Sequence, residues 1–307
     1  MIARTFARPL AFAATCLLTA AFVVADAQAL DRKDCERDYK PQVGQSGKDV
    51  VWVPTPDELV QRMLRMAKVT PQDLVYDLGA GDGKIAIAAG KLGANAVGIE
   101  YNPDMAKLAN CMVTADGMAK KTKIIQGDIF KEDFSKATVI TMYLLPELNL
   151  CVRHRILAMK PGTRVTSHQF TMGDWEADET SEFEYRTAYL WIVPARVDGT
   201  WLLREAGGAN TTIDLTQTFQ KLSGEVVSGA SRQPLVGATL RGDQLRFAFN
   251  DDKGVTRTFN GTVRGTELAG TFKSGNTETK VTGAPQGPLR AAAWAEMLTQ
   301  CGRFYGK

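Results

Sequence analysis

The chain reads as an α/β protein, a doubly wound and mostly parallel sheet, followed by a small all-β domain. Three features predict this. From Asp73 to His168, apolar runs of strand length alternate with amphipathic runs of helix length. Where the first run gives way to a helix stands a glycine-rich turn, Gly79-Ala80-Gly81-Asp82-Gly83, at the edge where open α/β sheets bind ligands. From Thr211 to Thr282 the texture becomes rich in Thr and Gly, with period-2 runs such as Leu245, Phe247, Phe249 and Leu268, Gly270, Phe272. Turns separate those runs at about the 8–12-residue spacing of an antiparallel barrel or sandwich, with about five to seven strands expected.

The first 29 residues stand apart. Arg4 and Arg8 precede an apolar stretch from Leu10 to Ala25, and Ala27-Gln28-Ala29 supplies small residues, the layout of a secretory signal peptide. Export to the periplasm or medium is expected, with a signal anchor or cytosolic residence as the alternatives. No stable span is expected after cleavage. Residues 30–48 are polar and form an extended lead-in. Thr55-Pro56-Asp57-Glu58 predicts a helix start, with Thr55 as cap and Glu58 completing a capping box. Strands follow over Leu74–Leu78, Ala96–Glu100, Ile124–Ile125, Ala137–Leu145 and Thr163–His168, and helices over Lys84–Leu92, Pro103–Met118 and from Pro146. The fourth strand is apolar almost throughout, as a strand buried on both faces should be. Tyr185–Pro194 and Thr200–Arg204, joined at Asp198-Gly199, read as a hairpin closing the sheet. The α/β domain is thus placed at 49–206, the β domain at 207–285 beyond the Gly207-Gly208 junction, and a tail with a short helix, Leu289–Cys301, at 286–307. Arg241-Gly242-Asp243 reads as a hairpin turn.

At 307 residues the chain has room for one or two domains. A net charge of +3 with interspersed signs argues against a dedicated nucleic-acid binder. Of five cysteines, Cys16 would leave with the signal. Cys35 and Cys301 flank the mature chain and would pair in an oxidising compartment, while Cys111 and Cys151 read as small core residues. No C-x-x-C spacing exists, and the two histidines, His154 and His168, form no metal-ligand pattern with the cysteines. His154, between Arg153 and Arg155, is expected to be solvated; His168 ends a strand and is a candidate for the acceptor side.

The chemistry concentrates in Val75–Gly83. Glycines admit a ligand close to the backbone, and a helix N-terminus offers free N–H groups. A dinucleotide fingerprint requires G-x-G-x-x-G. Here Gly79, Gly81 and Gly83 run G-x-G-x-G, and Asp77 precedes them. A carboxylate there repels a pyrophosphate but suits the ammonium of a bound amino acid, which shifts the expectation from NAD to S-adenosylmethionine. Glu100 ends the next strand, where an acid accepts ribose hydroxyls. Asp128 follows the third strand, placed for an adenine amino group.

Asp77 to Gly83, with Glu100 and Asp128, resemble the nucleotide-site motifs of class I, seven-β-strand methyltransferases. Val53-Pro54-Thr55-Pro56, Tyr143-Leu144-Leu145-Pro146-Glu147-Leu148-Asn149, Pro161-Gly162-Thr163-Arg164 and Ser167-His168 narrow this. They resemble a bacterial group akin to the protein-lysine methyltransferases that modify an ATP-synthase membrane subunit. The resemblance covers Asp49 to Arg204 and leaves the β domain unexplained; Trp52 stands where that group implies an aromatic. It implies a Rossmann-like sheet, S-adenosylmethionine as donor, no metal, and a methyl acceptor that includes proteins. Thr55, Asp77, Gly79, Gly81, Gly83, Glu100 and Asp128 would then hold the donor, with Trp52 and Thr55 in a segment closing over it. Tyr143 would face the methyl group. An exported nucleoside-cleft binding module without turnover is the alternative, favoured by export, since the donor is made in the cytosol. The three retained acids favour the enzyme.

Overall fold

A computed structural model describes residues 30–228, 231–291 and 301–305. The signal-peptide reading, and most of the expected C-terminal helix, lie outside the described residues. The chain opens with α1 (Arg32–Cys35) and α2 (Asp57–Met66), then β1 (Leu74–Leu78), α3 (Lys84–Lys91), β2 (Asn95–Glu100), α4 (Pro103–Ala115), β3 (Thr122–Gln126), β4 (Val139–Met142), α5 (Pro146–Leu157) and β5 (Arg164–His168). β6 (Glu179–Phe183) and β7 (Arg186–Ile192) complete a seven-stranded sheet of order β3-β2-β1-β4-β5-β7-β6. The first five strands are parallel; β7 runs antiparallel to β5 and β6 to β7. Strand order reverses at β1, so the crevice beyond β1 and β4 is the topological switch point.

Alternating strand residues feed two cores. Val75, Ala96 and Val139 pack on one face with Leu59 and Met63 of α2, Ile85 and Ala89 of α3, and Leu108 and Met112 of α4. Leu78, Ile99, Ile140 and Met142 pack on the other with Val152 and Ile156 of α5. This period-2 sorting is what a sheet covered on both faces demands.

The second sheet has strands β8 (Gly199–Glu205), β9 (Asn210–Thr218), β10 (Lys221–Ser228), β11 (Ser231–Pro234), β12 (Val236–Arg241), β13 (Gln244–Asn250), β14 (Thr256–Arg264), β15 (Glu267–Ser274) and β16 (Thr277–Pro285). Its order is β11-β10-β9-β8-β16-β15-β14-β13-β12, antiparallel throughout. The two end strands, β11 and β12, are consecutive in the chain, divided only by Leu235, whose N–H donates to Gly224 O of β10. One stretch therefore pairs with β10 at its start and β13 at its end. Among the described residues the sheet thus closes into an up-and-down barrel, the arrangement that removes free edges. Inward Trp201, Leu203, Ile213, Leu215, Phe247, Phe259, Phe272 and Val281 fill it.

Several expectations are corrected. Gly199–Glu205 does not form a hairpin with β7; it pairs with β9 and β16 in the barrel, and β6 edges the first sheet instead. The Gly207-Gly208 pair is the β8–β9 turn, with φ of +135° and +91°, not a junction between the domains. The second sheet has nine strands because β8 joins it and because stretches weak in hydrophobic alternation, such as β10 and β11, also pair. Pro56, not Thr55, precedes α2 as its cap and makes no side-chain capping bond; Glu58 pairs with Arg62 and Arg65. Cys35 bonds Cys111, and Cys151 bonds Cys301, so the expected Cys35–Cys301 bridge is replaced by two bridges and neither helix cysteine is a plain core residue. Arg153 is buried at 3%, donating to Met172 O and Asp174, and Arg155 donates to Ile129 O and Glu132 O. His154 is half-buried with Nδ1 3.0 Å from Cys151 O, so this helix stretch is not a solvated face.

Candidate active site

β1 ends at Leu78, and the turn that follows carries Gly79, Gly81 and Gly83 at φ of +75°, +53° and +80°, the left-handed region open to glycine. At Gly81 space decides as well: a Cβ there would stand 2.7 Å from Trp52 Nε1. Trp52 belongs to the segment before α2, which returns over the turn. Together they bound a cavity of about 320 Å³ at the switch point, lined among others by Lys48, Trp52, Thr55, Asp77, Glu100, Asp128, Tyr143 and Phe170.

Asp77 is 2% exposed. Thr141, its register partner on β4, donates an Oγ1–H bond of 2.7 Å to Oδ1, while Oδ2 is buried with no hydrogen-bond partner among the described residues. Burial pushes the carboxyl up to about 7; the Thr141 bond opposes this, and the charges of Asp82 and Glu100 add to it. Burial also raises Asp82 and Glu100 above the ordinary carboxylate range. Glu100 accepts from Gly81 N at 2.9 Å and Asn102 N at 2.8 Å, which ties the tip of β2 to the glycine turn. Three desolvated acids and an unsatisfied carboxylate oxygen around one cavity call for a cation, and a sulfonium compound with an ammonium group fits them. Asp128 differs: burial would raise it, but Lys48 Nζ at 2.9 Å and the Phe130 N–H outweigh burial and hold it below the ordinary range.

Beyond β4 the cavity meets a second set of groups. The Tyr143 ring stacks on His168 with centroids 3.7 Å apart, and Phe170 lies 6.1 Å from it. His168 is 1% exposed; Nδ1 lies 3.0 Å from Thr55 Oγ1, and Nε2 has no hydrogen-bond partner among the described residues. Burial, with Arg186 nearby, lowers it to about 4, so the ring is neutral at physiological pH. Burial raises the Tyr143 phenol, which stays protonated.

The structure thus brings Thr55, Asp77, Gly79, Gly81, Glu100, Asp128 and Tyr143 to one cavity. Gly83 stands behind it as the N-cap of α3, its Cα packed toward Ala109. Thr55 serves the His168 side rather than a helix cap. Sequence reading missed Lys48, Asp82, Thr141 and Phe170. Thr141 left a signal, a hydroxyl inside an otherwise apolar strand; Lys48 left none, because its partner lies 80 residues away.

Comparisons with known proteins agree with this geometry. A family described as "ANTKMT methyltransferase domain" matches residues 77–179, and one described as "DNA methylase" matches 38–111. A protein-lysine N-methyltransferase of Saccharolobus islandicus (strain REY15A) is 40% identical over 151 residues, 47% of this chain and 94% of that protein. In Mus musculus, a lysine N-methyltransferase named for an ATP synthase subunit is 29% identical over 146 residues, 47% of this chain and 59% of that protein. A crystal structure of an RNA methyltransferase from Salinibacter ruber in complex with S-adenosyl-L-homocysteine is 45% identical, covering 47% of this chain and 96% of that one, with a TM-score of 0.46. With a relative matched over nearly its whole length and a donor cavity of the right charge, the chain belongs to the class I S-adenosylmethionine-dependent methyltransferases.

Proposed function

We propose that this methyltransferase transfers a methyl group to a lysine ε-amine of a protein, in an extracytoplasmic compartment. The carrying observation is the neutral, aromatic acceptor side: Tyr143 stacked on an uncharged His168, with Phe170 beside it. The relatives named for lysine methylation support the acceptor class. The donor, when bound, supplies an activated methyl on a sulfonium; the protein's task is alignment and desolvation. Asp77 and Glu100 bind its cationic and hydroxyl-bearing parts, and Asp128 the base. An amine attacks only as the free base, so an acceptor side that disfavours charge selects the reactive form, and the Tyr143 hydroxyl oxygen accepts an amine N–H and leaves the lone pair free for the methyl.

The described cysteines support the compartment, since all four join two bridges, as expected of an exported domain. Among the described residues no helix is long and apolar enough to cross a membrane.

The test uses the oxidised mature chain with methyl-labelled donor and a detergent-solubilised envelope proteome. Label is expected in protease-sensitive, nuclease-resistant material that yields methyl-lysine on acid hydrolysis. Label confined to nucleic acid or to small molecules overturns the lysine assignment.

A further inference from the structure

The segment from Arg32 to Thr55 is a strap fixed at both ends. At its start, buried Cys35 is bonded to Cys111 of α4, and Arg32 Nε pairs with Asp116 Oδ1 at 2.5 Å. Tyr39 packs against the core beneath and its hydroxyl accepts from Gln45 Nε2 at 2.6 Å. At its end, Thr55 is held against His168. Between these posts the chain folds into a small hairpin: Gly44 N donates to Trp52 O, Trp52 N to Gln45 O and Gly47 N to Val50 O, at 2.8 to 2.9 Å. The hairpin lies across the cavity. Its indole covers Gly81, and its tip puts Lys48 Nζ on Asp128 Oδ2, 4.7 Å from the centroid of the Tyr101 ring.

We propose that residues 42–54 form a donor-retaining strap, latched at the adenine end by the Lys48–Asp128 pair and anchored by the Cys35–Cys111 bridge. The stretch from Gln45 to Thr55 forms one wall of the cavity, and release along that wall displaces the strap. Displacement breaks an ion pair whose carboxylate side chain is 12% exposed, and lifts the indole from the glycine turn. Anchoring Cys35 shortens the free segment and limits how far it swings, which lowers the entropy of the open state. Oxidation of the two thiols to one disulfide, two electrons and two protons passing to an external thiol oxidant such as a disulfide exchange protein, therefore tightens the grip. The enzyme then holds its donor and product longest in the compartment proposed for it. This rests on the donor-site reading above.

The experiment follows release of radiolabelled S-adenosylhomocysteine from the oxidised full mature chain into excess unlabelled compound. Lys48→Met and the double variant Cys35→Ser/Cys111→Ser are each expected to release it about tenfold faster, the factor that about 1.4 kcal/mol gives. Cys151→Ser/Cys301→Ser, which leaves the strap's anchor in place, should release it at the wild-type rate. Hydrogen exchange on the wild-type chain gives a second readout, free of any folding defect: the Gly44 and Trp52 amides should slow when S-adenosylhomocysteine is added. Unchanged or slower release in Lys48→Met, or exchange at those amides indifferent to the compound, overturns the strap. Failure of the wild-type chain to bind S-adenosylhomocysteine at all overturns the donor-site reading instead.

Discussion

Asp77 concentrates the electrostatic argument in one side chain. Its carboxyl titrates near 7 in the free protein because burial disfavours the charge, against an ordinary value of 3.8. A carboxyl whose folded value is raised keeps its proton longer in the folded than in the unfolded state. The free protein is accordingly destabilised as pH rises from about 4 to about 7, and the full cost applies above 7. A bound cation reverses the preference. Below pH 7 binding must expel a proton, so donor affinity should climb by up to about tenfold per pH unit towards 7 and level off above it, the slope of one linked proton. Calorimetry of S-adenosylhomocysteine binding between pH 5.5 and 8 reads this directly, and Asp77→Asn should bind weakly with a flat profile. An affinity independent of pH in the wild type would show that Asp77 is already ionised. In the proposed reaction Tyr143 belongs to the acceptor half. Tyr143→Phe removes one hydroxyl from a ring that His168 still supports. Turnover on the labelled acceptor should fall about 100-fold, as misalignment at a reacting centre does, while the dissociation constant for S-adenosylhomocysteine stays put. Equal losses in both would make Tyr143 a packing residue.

Elements show where the sequence was legible. Strand–helix alternation located β1 to β5 and their helices within a few residues, because burial on both faces leaves long apolar runs in which a single Asp or Gly stands out. The acids Asp77, Glu100 and Asp128 were legible for the same reason, each standing at or just past the carboxyl end of an apolar strand. What was illegible depends on partners far along the chain. Gly199–Glu205 alternates like any edge strand, and its hydrogen bonds to β9 and to β16, the latter some 80 residues on, assign it to the barrel. Lys48 and both disulfide pairings are of this kind. Barrel closure depends on a bend at Leu235 that no pattern marks. The junction between the two sheets is likewise built from long-range contacts. Trp175 stacks on Phe219 of the β9–β10 turn at 5.9 Å, Lys221 and Arg241 pair with Glu176 and Glu179, and Gln217 bridges Ala195 O, Phe219 O and Val197 N. The loop that carries Trp175 also carries Phe170 of the acceptor side, so the barrel braces that side from behind. Phe219→Ala should cost about 3–5 kcal/mol, the range for truncating a buried aromatic, and should leave a single denaturant transition. Two separate transitions in the wild-type chain would mean that the barrel folds on its own and braces nothing.

At the scale of the whole molecule the chain leaves its catalytic half, builds the barrel, and comes back. Arg290 pairs with Asp198 and Asp214, Cys301 bonds Cys151 on α5, and Phe304 stacks on Phe130 at 5.0 Å. The Cys151–Cys301 bridge spans 150 residues and so encloses the entire barrel, while Cys35–Cys111 spans 76 and encloses the strap and the strands β1 and β2. Loops of that length lose on the order of 4–5 kcal/mol of unfolded-state entropy on closure, of which about 2–4 is commonly realised. For a chain of this size that is roughly 3–7 °C in Tm for each bridge. Stability drawn from oxidation accords with the extracytoplasmic compartment proposed above. Chain recovered from the periplasm of a Gram-negative host should begin at Leu30, resist alkylation until reduced, and lose melting temperature by that amount when a reductant is added. Full-length chain in the cytosol that starts at Met1, with free thiols and the same Tm in reductant, would show that neither bridge forms in the cell and that the enzyme works beside its donor supply.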